Sequence, residues 1–580
     1  MKNNAREYKV ATYTKEEQRS LGAFYTPLIL ADLIARLLEP LCPASKDSTL
    51  CVMDPAMGDG VLLQSFAKVA QKRKRTYHLV GVDIDNRAID RSTRIFEKDK
   101  EKCVFINTDA LYPLESSNPS DGWNDLSKKH FPSGIDIIVS NPPWGASLDK
   151  YSNLAKDFET ATGQFDIYDL FIETIVANLK EGGVYGIILP DSIFNQEHIL
   201  SRKILLSKTA IKGIIRLGEG FFQDVNTAVS IVFGIKKPNP RSNTLCAHIN
   251  NVDKKAILSG DLDIYRHIKE KSTKITNRQM ILSNYSFIVD VSSEDMPLLT
   301  RLKSNDVLGK YVFCQRGVEL SKNGYVVRCV HCKQFFPLPK GKSGHVQCPH
   351  CKEEMQITNT GPTCIISDKQ QEGYFPLIVG EDISRYTLSS RRYIKTDVQG
   401  INYKPLSIYK SPKVLVRKTG VGISVGIDYQ DCLVNQVVYL MKPKEGINSL
   451  ITAEIICAIL CSRLLTYVII KEKGSIGWTS NPYLSQTDVK MLPFPKLDYN
   501  DERTISALKR ITELVRENAQ RNNCISLAVD AEIECLIAYL YHMSIEDYRI
   551  IMDSISQVEQ MIPFKRLLNV KLSDIFSNGI

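Results

Sequence analysis

From Ser48 to Phe233, short runs of β-branched and other apolar residues alternate with stretches whose apolar positions recur every three or four residues. That alternation predicts an α/β, doubly wound, Rossmann-like domain with a parallel sheet. Four strands are expected at Thr49–Met53, Leu79–Val82, Val104–Ile106 and Ile135–Val139, with further strands at Val184–Leu189 and Ala228–Phe233 and a helix starting near Pro27. In such sheets ligands bind outside the carboxyl ends of the strands, so the loops there are where chemistry is expected. The polar, proline-bearing stretch from Lys236 to Asn243 looks like an interdomain linker. This sets a first domain at 1–240, a mixed α+β domain at 244–500 and a helical carboxy-terminal region at 501–580. In the last, Leu508, Ile511, Leu514 and Val515, then Ile533, Leu536, Ile537 and Leu540, recur at helical spacing.

Composition adds little to this picture. With 580 residues, 43% apolar and 24% charged, the chain can bury roughly two to four domain cores. The amino terminus, MKNNAREYKV, has no apolar core, and the apolar stretch from Ala453 to Ile470 is interrupted by Glu454 and Arg463. Neither a signal peptide nor a membrane span is expected. Fifteen scattered cysteines fit a reducing, cytoplasmic compartment. The net charge of +9 leans only slightly toward a polyanionic partner. One run is more basic: between Arg391 and Gly420, Arg391, Arg392, Lys395, Lys404, Lys410, Lys413, Arg417 and Lys418 face one acid, Asp397. A solvated basic surface explains that run as well as a polyanion site does.

The first strand ends in Asp54-Pro55-Ala56-Met57-Gly58-Asp59-Gly60, directly before a helical stretch. Glycines there let the backbone turn sharply and approach a ligand without a Cβ in the way. The second strand ends in Asp83, 29 positions after Asp54, where an acid can accept from ribose hydroxyls. The third ends in Asn107-Thr108-Asp109, placing a carboxylate where an adenine amino group could donate to it. Together these imply a nucleoside cofactor. The loop lacks the third glycine of a dinucleotide fingerprint and carries Asp59 instead, so a cationic sulfonium suits it better than a diphosphate. This points to S-adenosylmethionine.

The fourth strand runs into Asn141-Pro142-Pro143-Trp144. An aryl amine is a poor nucleophile because its lone pair is delocalised into the ring. The Asn141 side-chain oxygen and the Pro142 carbonyl can each accept one N–H and aim that lone pair. The two prolines hold the acceptors rigid, and Trp144 offers a flat face to a base that must leave its duplex to be reached. No general base is needed, since the cationic product can lose its proton to solvent.

These residues, in this order, resemble the gamma-class N6-adenine DNA methyltransferases of restriction-modification systems. The resemblance begins at Gly22-Ala23-Phe24-Tyr25-Thr26-Pro27 and implies that Thr26 contacts the methionine end of the cofactor. It also implies that Phe171, in Gly163-Gln164-Phe165-Asp166-Ile167-Tyr168-Asp169-Leu170-Phe171, packs against the cofactor adenine. The segment Gly218-Glu219-Gly220-Phe221-Phe222-Gln223 resembles the one whose first aromatic sandwiches the flipped base, which implies that role for Phe221; Phe222 stands where the family often has proline. The segments Ser411–Lys418 and Met491–Pro495 resemble target-recognition domains, which implies double-stranded DNA as partner. A prokaryotic cytoplasm, a monomer as the simplest assembly, and a restriction endonuclease on a separate chain are also expected. A C5-cytosine enzyme is disfavoured because no cysteine follows a proline. N4-cytosine methylation, RNA or glutamine substrates, and a non-catalytic DNA-specificity role stay open as alternatives.

One insert stands apart. Cys329-Val-His-Cys332 and Cys348-Pro-His-Cys351 are two C-x-x-C knuckles separated by fifteen residues, the spacing of a four-cysteine zinc ribbon at about 326–355. Four ligands close the metal shell, so the zinc would be structural, with His331 and His350 outside it. A redox dithiol relay is the rival reading. Lys333, Lys340, Lys342 and Lys352 surround the knuckles and could approach phosphate.

Overall fold

The computed structural model describes the chain except for residues 1–25, 43–47, 147, 149–150, 152, 223–226, 293, 340–344, 358–360, 390–391, 421, 474–483, 522–523, 559–561 and 578–580. The expected cofactor segment Gly22–Tyr25, and Gln223, Lys340, Lys342 and Arg391, therefore lie outside the described residues. The chain packs as two compact units, one ending at Val291 and the other starting at Ser292.

The first unit begins with helix α1 (Leu28–Leu38) and strand β1 (Leu50–Asp54), followed by α2 (Val61–Lys72), β2 (Tyr77–Asp83) and α3 (Asn86–Ile95). Next come β3 (Cys103–Asn107), α4 (Pro119–His130), β4 (Ile135–Ser140), α5 (Ile167–Asn178), β5 (Leu179–Pro190) and α6 (Ile199–Lys208). The unit closes with β6 (Ala210–Gly218), β7 (Val229–Ile235), β8 (Asn243–His248), α7 (Asn251–Ser259), α8 (Ile264–Lys271), β9 (Thr273–Thr276) and α9 (Asn277–Leu282). The strands form one nine-stranded sheet in the order β3-β2-β1-β4-β5-β7-β6-β8-β9. Every residue of β4 is buried, as a central strand covered on both faces requires. The Leu30, Ile34, Leu37 and Leu38 face of α1 is buried, and α1 lies over β5 at Gly186, where a Cβ would come within 2.7 Å of Leu38.

Two expectations change here. The sheet runs continuously parallel only from β3 to β5 before the pattern breaks: β7 runs antiparallel to both β5 and β6, and a parallel pair returns at β6 and β8. The connection from β6 to β7 is too short for the crossover that a parallel pair needs. The stretch 236–243 is a turn inside the sheet and not a linker, because β8 pairs in parallel with β6 and β9 pairs with β8. The unit thus runs about fifty residues past the expected boundary at 240, to Val291.

In the second unit, the strands Val312–Arg316, Val438–Pro443, Lys413–Arg417 and Val425–Asp428 form a four-stranded antiparallel sheet. Helices Glu502–Arg521, Leu527–Leu540 and Ile545–Ser556 belong to this same unit and are not a separate region. The reason is a buried ion cluster: Arg463 bonds Asp530 at 2.9 Å and Glu534 at 3.0 Å, and Arg385 bonds Asp530 at 2.6 Å. Opposite charges this buried hold together only as a set, since breaking one pair strands a charge away from water. Arg463 also opens the second of two apolar helices, Ala453–Cys461 and Arg463–Lys473, which bend by 56° across Ser462. Among the described residues no single helix is long and apolar enough to cross a membrane.

The two cysteine knuckles open matched hairpins. Tyr325–Arg328 pairs with Phe335–Pro337, and His345–Gln347 with Glu354–Gln356. In each knuckle the residue after the second cysteine, Lys333 or Lys352, takes a positive φ and donates its N–H to the first cysteine's carbonyl. Val327, Phe336, Val346 and Met355 pack with Cys329 and Cys348 in a small core of their own.

Candidate active site

β1 lies between β2 and β4, where the order of connections reverses, so the loops after β1 and β4 diverge and leave a crevice. Met57 crosses over β2: its N–H donates to the Val82 carbonyl at 3.0 Å, and a Cβ at Gly81 would meet its sulfur at 2.1 Å. Gly58 then donates its N–H to Asp83 Oδ2 at 2.9 Å, tying the glycine loop to the end of β2. Gly60, at φ +70°, caps α2 in the left-handed region, where a side chain would be strained and would press on Ser92 and Phe96.

Burial raises two carboxylates in this loop system. Asp54 is fully buried; one oxygen accepts from the Ala56 N–H at 3.0 Å, and Oδ2 has no hydrogen-bond partner among the described residues. Burial pushes its carboxyl up to about 8; the Ala56 N–H opposes this, the nearby Asp83 charge adds to it, and the neighbouring Ser140 hydroxyl, which lies outside hydrogen-bond geometry, opposes it weakly. Asp83 is also raised by burial, although the Asp85 and Gly58 N–H groups both donate to it. The charge assigned to Asp59 is offset, however. Arg91 Nε donates to it at 2.5 Å, so the loop is less negative than its sequence implies.

Beyond β2 and β3 opens a cleft of about 890 Å³, lined by Ile84, Thr108, Asp109, Tyr112, Tyr151 and Asp157 among others. Ile84 is 51% exposed on the lining of this cleft, where its side chain offers an apolar surface. Asp109 accepts from Leu111 N–H at 3.0 Å and from the Tyr151 hydroxyl at 2.6 Å. Tyr151 stacks on Tyr112 at 5.9 Å and 18°, and the Tyr112 hydroxyl donates to Asp157 at 2.9 Å. Of the six cofactor candidates, Asp109 lines this cleft. Asp83 reaches its floor, since its carbonyl accepts from Asn107 Nδ2 and Thr108 N–H, and Gly58 is linked through Asp83. Asp54 sits at the end of the neighbouring β1. Half-buried Thr26 and buried Phe171, on α5, are not among the residues lining the cleft.

Asn141 and Pro142 are buried at the end of β4, which pairs directly with β1 through Val52–Ile137 and Met53–Ile138. Strand pairing therefore sets the tetrapeptide beside the Asp54 loop. Gly145 donates its N–H to both oxygens of Asp166 at 3.0 Å, while Asp166 caps α5 in a reciprocal box with Asp169. The ring facing Trp144 is that of Phe222, at 6.0 Å and 84°; Phe221 is buried next to it. Sequence reasoning passed over Ile84, Tyr151 and Asp166. Asp166 had a legible signal in its D-x-x-D capping pattern, and Ile84 in its apolar character within an acidic turn; Tyr151 had none.

In the second unit the four knuckle sulfurs lie within 4.8 Å of one another, with Cys329–Cys351 at 3.6 Å and Cys332–Cys348 at 3.8 Å. His331 and His350 are exposed and outside this group.

A model of the N-6 DNA methylase family matches residues 3–292, and one of the TaqI-like C-terminal specificity domain matches residues 375–494. The Type II methyltransferase M.BanIII of Aneurinibacillus aneurinilyticus is 30% identical over 234 residues, covering 38% of this chain and 40% of that protein. The Type I restriction enzyme EcoEI methylase subunit of Escherichia coli is 25% identical over 207 residues, covering 35% of this chain and 39% of that protein. The chain thus spans about two fifths of the length of the curated relatives it matches. Among solved structures, the Type IIL restriction-modification enzyme MmeI in complex with DNA aligns over 96% of this chain and 80% of its own, with a TM-score of 0.55 at 12% identity, which shows a shared fold. Because the family model spans half of the 580 residues and takes in every strand of the sheet from β1 to β9, the chain belongs to the N-6 DNA methylase family.

Proposed function

We propose that this protein is a site-specific DNA methyltransferase that places a methyl group on adenine N6 in double-stranded DNA, as the modification arm of a restriction-modification system whose endonuclease is a separate chain. The observation that carries this reading is the pairing of β4 with β1, which sets Asn141-Pro142-Pro143-Trp144 beside the loop of Asp54, Gly58 and Asp83.

The residues fit S-adenosylmethionine. Asp54 presents a buried oxygen with no hydrogen-bond partner among the described residues, and a cation bound near it would draw its raised carboxyl back to the charged form; exposed Ile84 beside Asp109 suits an adenine ring and its amino group. When bound, this cofactor supplies an electrophilic methyl group on a sulfonium. Asn141 accepts one N–H of the target amine through its amide oxygen, and Pro142 accepts the other through its carbonyl, so the lone pair points at the incoming carbon. The rigid prolines hold these acceptors in place before the reaction, which keeps reorganisation out of the barrier. Trp144 and the Phe221-Phe222 turn hold the base out of its stack, with Phe222 the nearer ring. The bound cofactor would give up its methyl group and leave as a neutral thioether, and the extra proton of the methylated amine passes to water.

The four cysteines hold a structural zinc ion. Zinc–sulfur bonds of about 2.3 Å in a tetrahedron place sulfurs about 3.8 Å apart, which the observed 3.6 and 3.8 Å support. The deciding experiment is transfer of labelled methyl groups onto mapped duplex DNA, followed by nucleoside analysis. N6-methyladenine at one sequence is the expected product; N4-methylcytosine, or label on RNA or protein alone, rules the reading out.

A further inference from the structure

The basic run between Arg391 and Gly420 is largely neutralised by the fold. Arg392 bonds Glu381 and, at 2.8 Å, Asp382. Lys395 lies 3.7 Å from Asp397, Lys404 3.0 Å from Glu319 and Lys410 2.9 Å from Asp431, while Lys413 is buried against Asp428. The partners Glu319, Glu381, Asp382, Asp428 and Asp431 all come from outside the run, so its local charge excess does not survive as a free basic patch.

Arg417 differs. It ends the strand Lys413–Arg417, inside the stretch matched by the specificity-domain model. Its guanidinium makes no ion pair or hydrogen bond among the described residues, and its Nε is buried without an acceptor. The acids that follow Gly380 are already engaged, Glu381 by Lys322 and Arg392, and Asp382 by Arg392 and the Val379 N–H.

Two glycines shape the space around it. A Cβ on Gly380 would lie 3.4 Å from Arg417 Cγ and 3.7 Å from Nε. A Cβ on Gly420, at φ +129°, would lie 3.4 Å from Nε and 3.5 Å from Cζ. The arginine backbone is also fixed, donating its N–H to the Ser424 carbonyl at 2.9 Å, while Lys418 N–H donates to Val437 at 2.9 Å. A planar, always-charged fork is thus held on a rigid strand end with bare backbone on two sides and no counter-charge among the described residues.

We propose that Arg417 is a phosphate-binding residue of the specificity unit, which takes a phosphodiester oxygen pair of duplex DNA and so positions the recognition domain on the backbone. A phosphate supplies both the missing acceptor and the missing negative charge, whereas a base edge supplies only the acceptor. This inference rests on the DNA-methylation reading above and assigns the contact to one residue instead of to the basic run.

The test is fluorescence anisotropy on the full chain, with a labelled duplex containing the mapped methylation site and a scrambled duplex, across a series of salt concentrations. Arg417→Gln is expected to weaken binding to both duplexes about tenfold, and to lower the slope of log affinity against log salt by about 0.9. Arg417→Lys should keep most of that slope, and it preserves the test if thermal melting shows the glutamine variant to be unfolded. Lys410→Gln, which removes an exposed and already paired lysine, is expected to change binding by less than about twofold. A loss confined to the cognate duplex with an unchanged slope overturns the phosphate assignment, as does a Lys410→Gln effect equal to that of Arg417→Gln. If the wild type methylates DNA and the folded Arg417 variants bind as tightly, this inference alone fails. If the wild type neither binds nor methylates DNA, the proposed function fails and takes the inference with it.

Discussion

The Tyr151 hydroxyl donates to Asp109 Oδ2 at 2.6 Å inside the cleft beyond β2 and β3. An adenine amino group entering that cleft must compete for the same carboxylate. Tyr151→Phe keeps the ring that stacks on Tyr112 and removes the competitor. The dissociation constant for S-adenosylmethionine, measured by calorimetry, is expected to fall about fivefold, the size of one net hydrogen bond.

Asp54 sets a pH dependence of stability. Burial raises its carboxyl from 3.8 to about 8 in the folded protein. The folded state therefore holds a proton that the unfolded chain gives up, and the stability this confers is complete below about 3.8 and lost as pH rises through about 8. Asp54→Asn keeps the group neutral at every pH. Its melting temperature in the absence of ligand should match the wild type below about pH 4, exceed it increasingly as pH rises to about 8, and keep a constant lead above that.

At the end of β4, Asn141→Ala removes an acceptor used by the reacting amine and leaves the cleft lining untouched. Single-turnover methyl transfer should slow by about 10²- to 10³-fold, the usual cost of losing one preorganised polar contact. Cofactor affinity should stay within about twofold of wild type. Near-normal turnover would sink the mechanism.

Trp144 faces Phe222 edge-on at 6.0 Å, with Phe221 adjacent and buried. Alanine at 222 should therefore cost more than alanine at 221 in a base-extrusion assay using 2-aminopurine at the target position. Loss of one stacking partner corresponds to about ten- to a hundredfold. The reverse order would return the stacking role to Phe221.

Removal of the proposed zinc should act locally. Residues Val327, Phe336, Val346 and Met355 form a small cluster with two of the cysteines, apart from the larger core built on Val318, Leu377, Leu415 and Val438. Metal analysis should find about one zinc per chain. Chelation or Cys348→Ser should speed hydrogen exchange across Tyr325–Gln356 and leave the Lys413–Arg417 strand protected.

The cofactor loop was legible because its requirements are local. Gly58 and Gly60 take positive φ values, Asp54 and Asp83 end adjacent strands, and a dozen contiguous residues carry each signal. The tetrapeptide was legible for the same reason, and so was the cysteine spacing. The boundary at 240 was misread because two prolines in a polar run look alike in a linker and in a tight turn. What keeps β8 and β9 in the first unit is the pairing of Leu245 with Gly213, across 32 positions of chain.

By itself the sequence determined the order of strands and helices around the first loop, the residue types at the strand ends, and the four cysteines, since each depends on neighbours in the chain. Tertiary structure decided the antiparallel insertion of β7, Arg91 on Asp59, Tyr151 on Asp109, Phe222 on Trp144, and which charges of the basic run meet an acid. Each of these is a contact between side chains or strands brought together by the fold, with no local periodicity to announce it. A charge, a carboxylate or a ring has its function set by what it meets across space, and that is settled only when the sheets close.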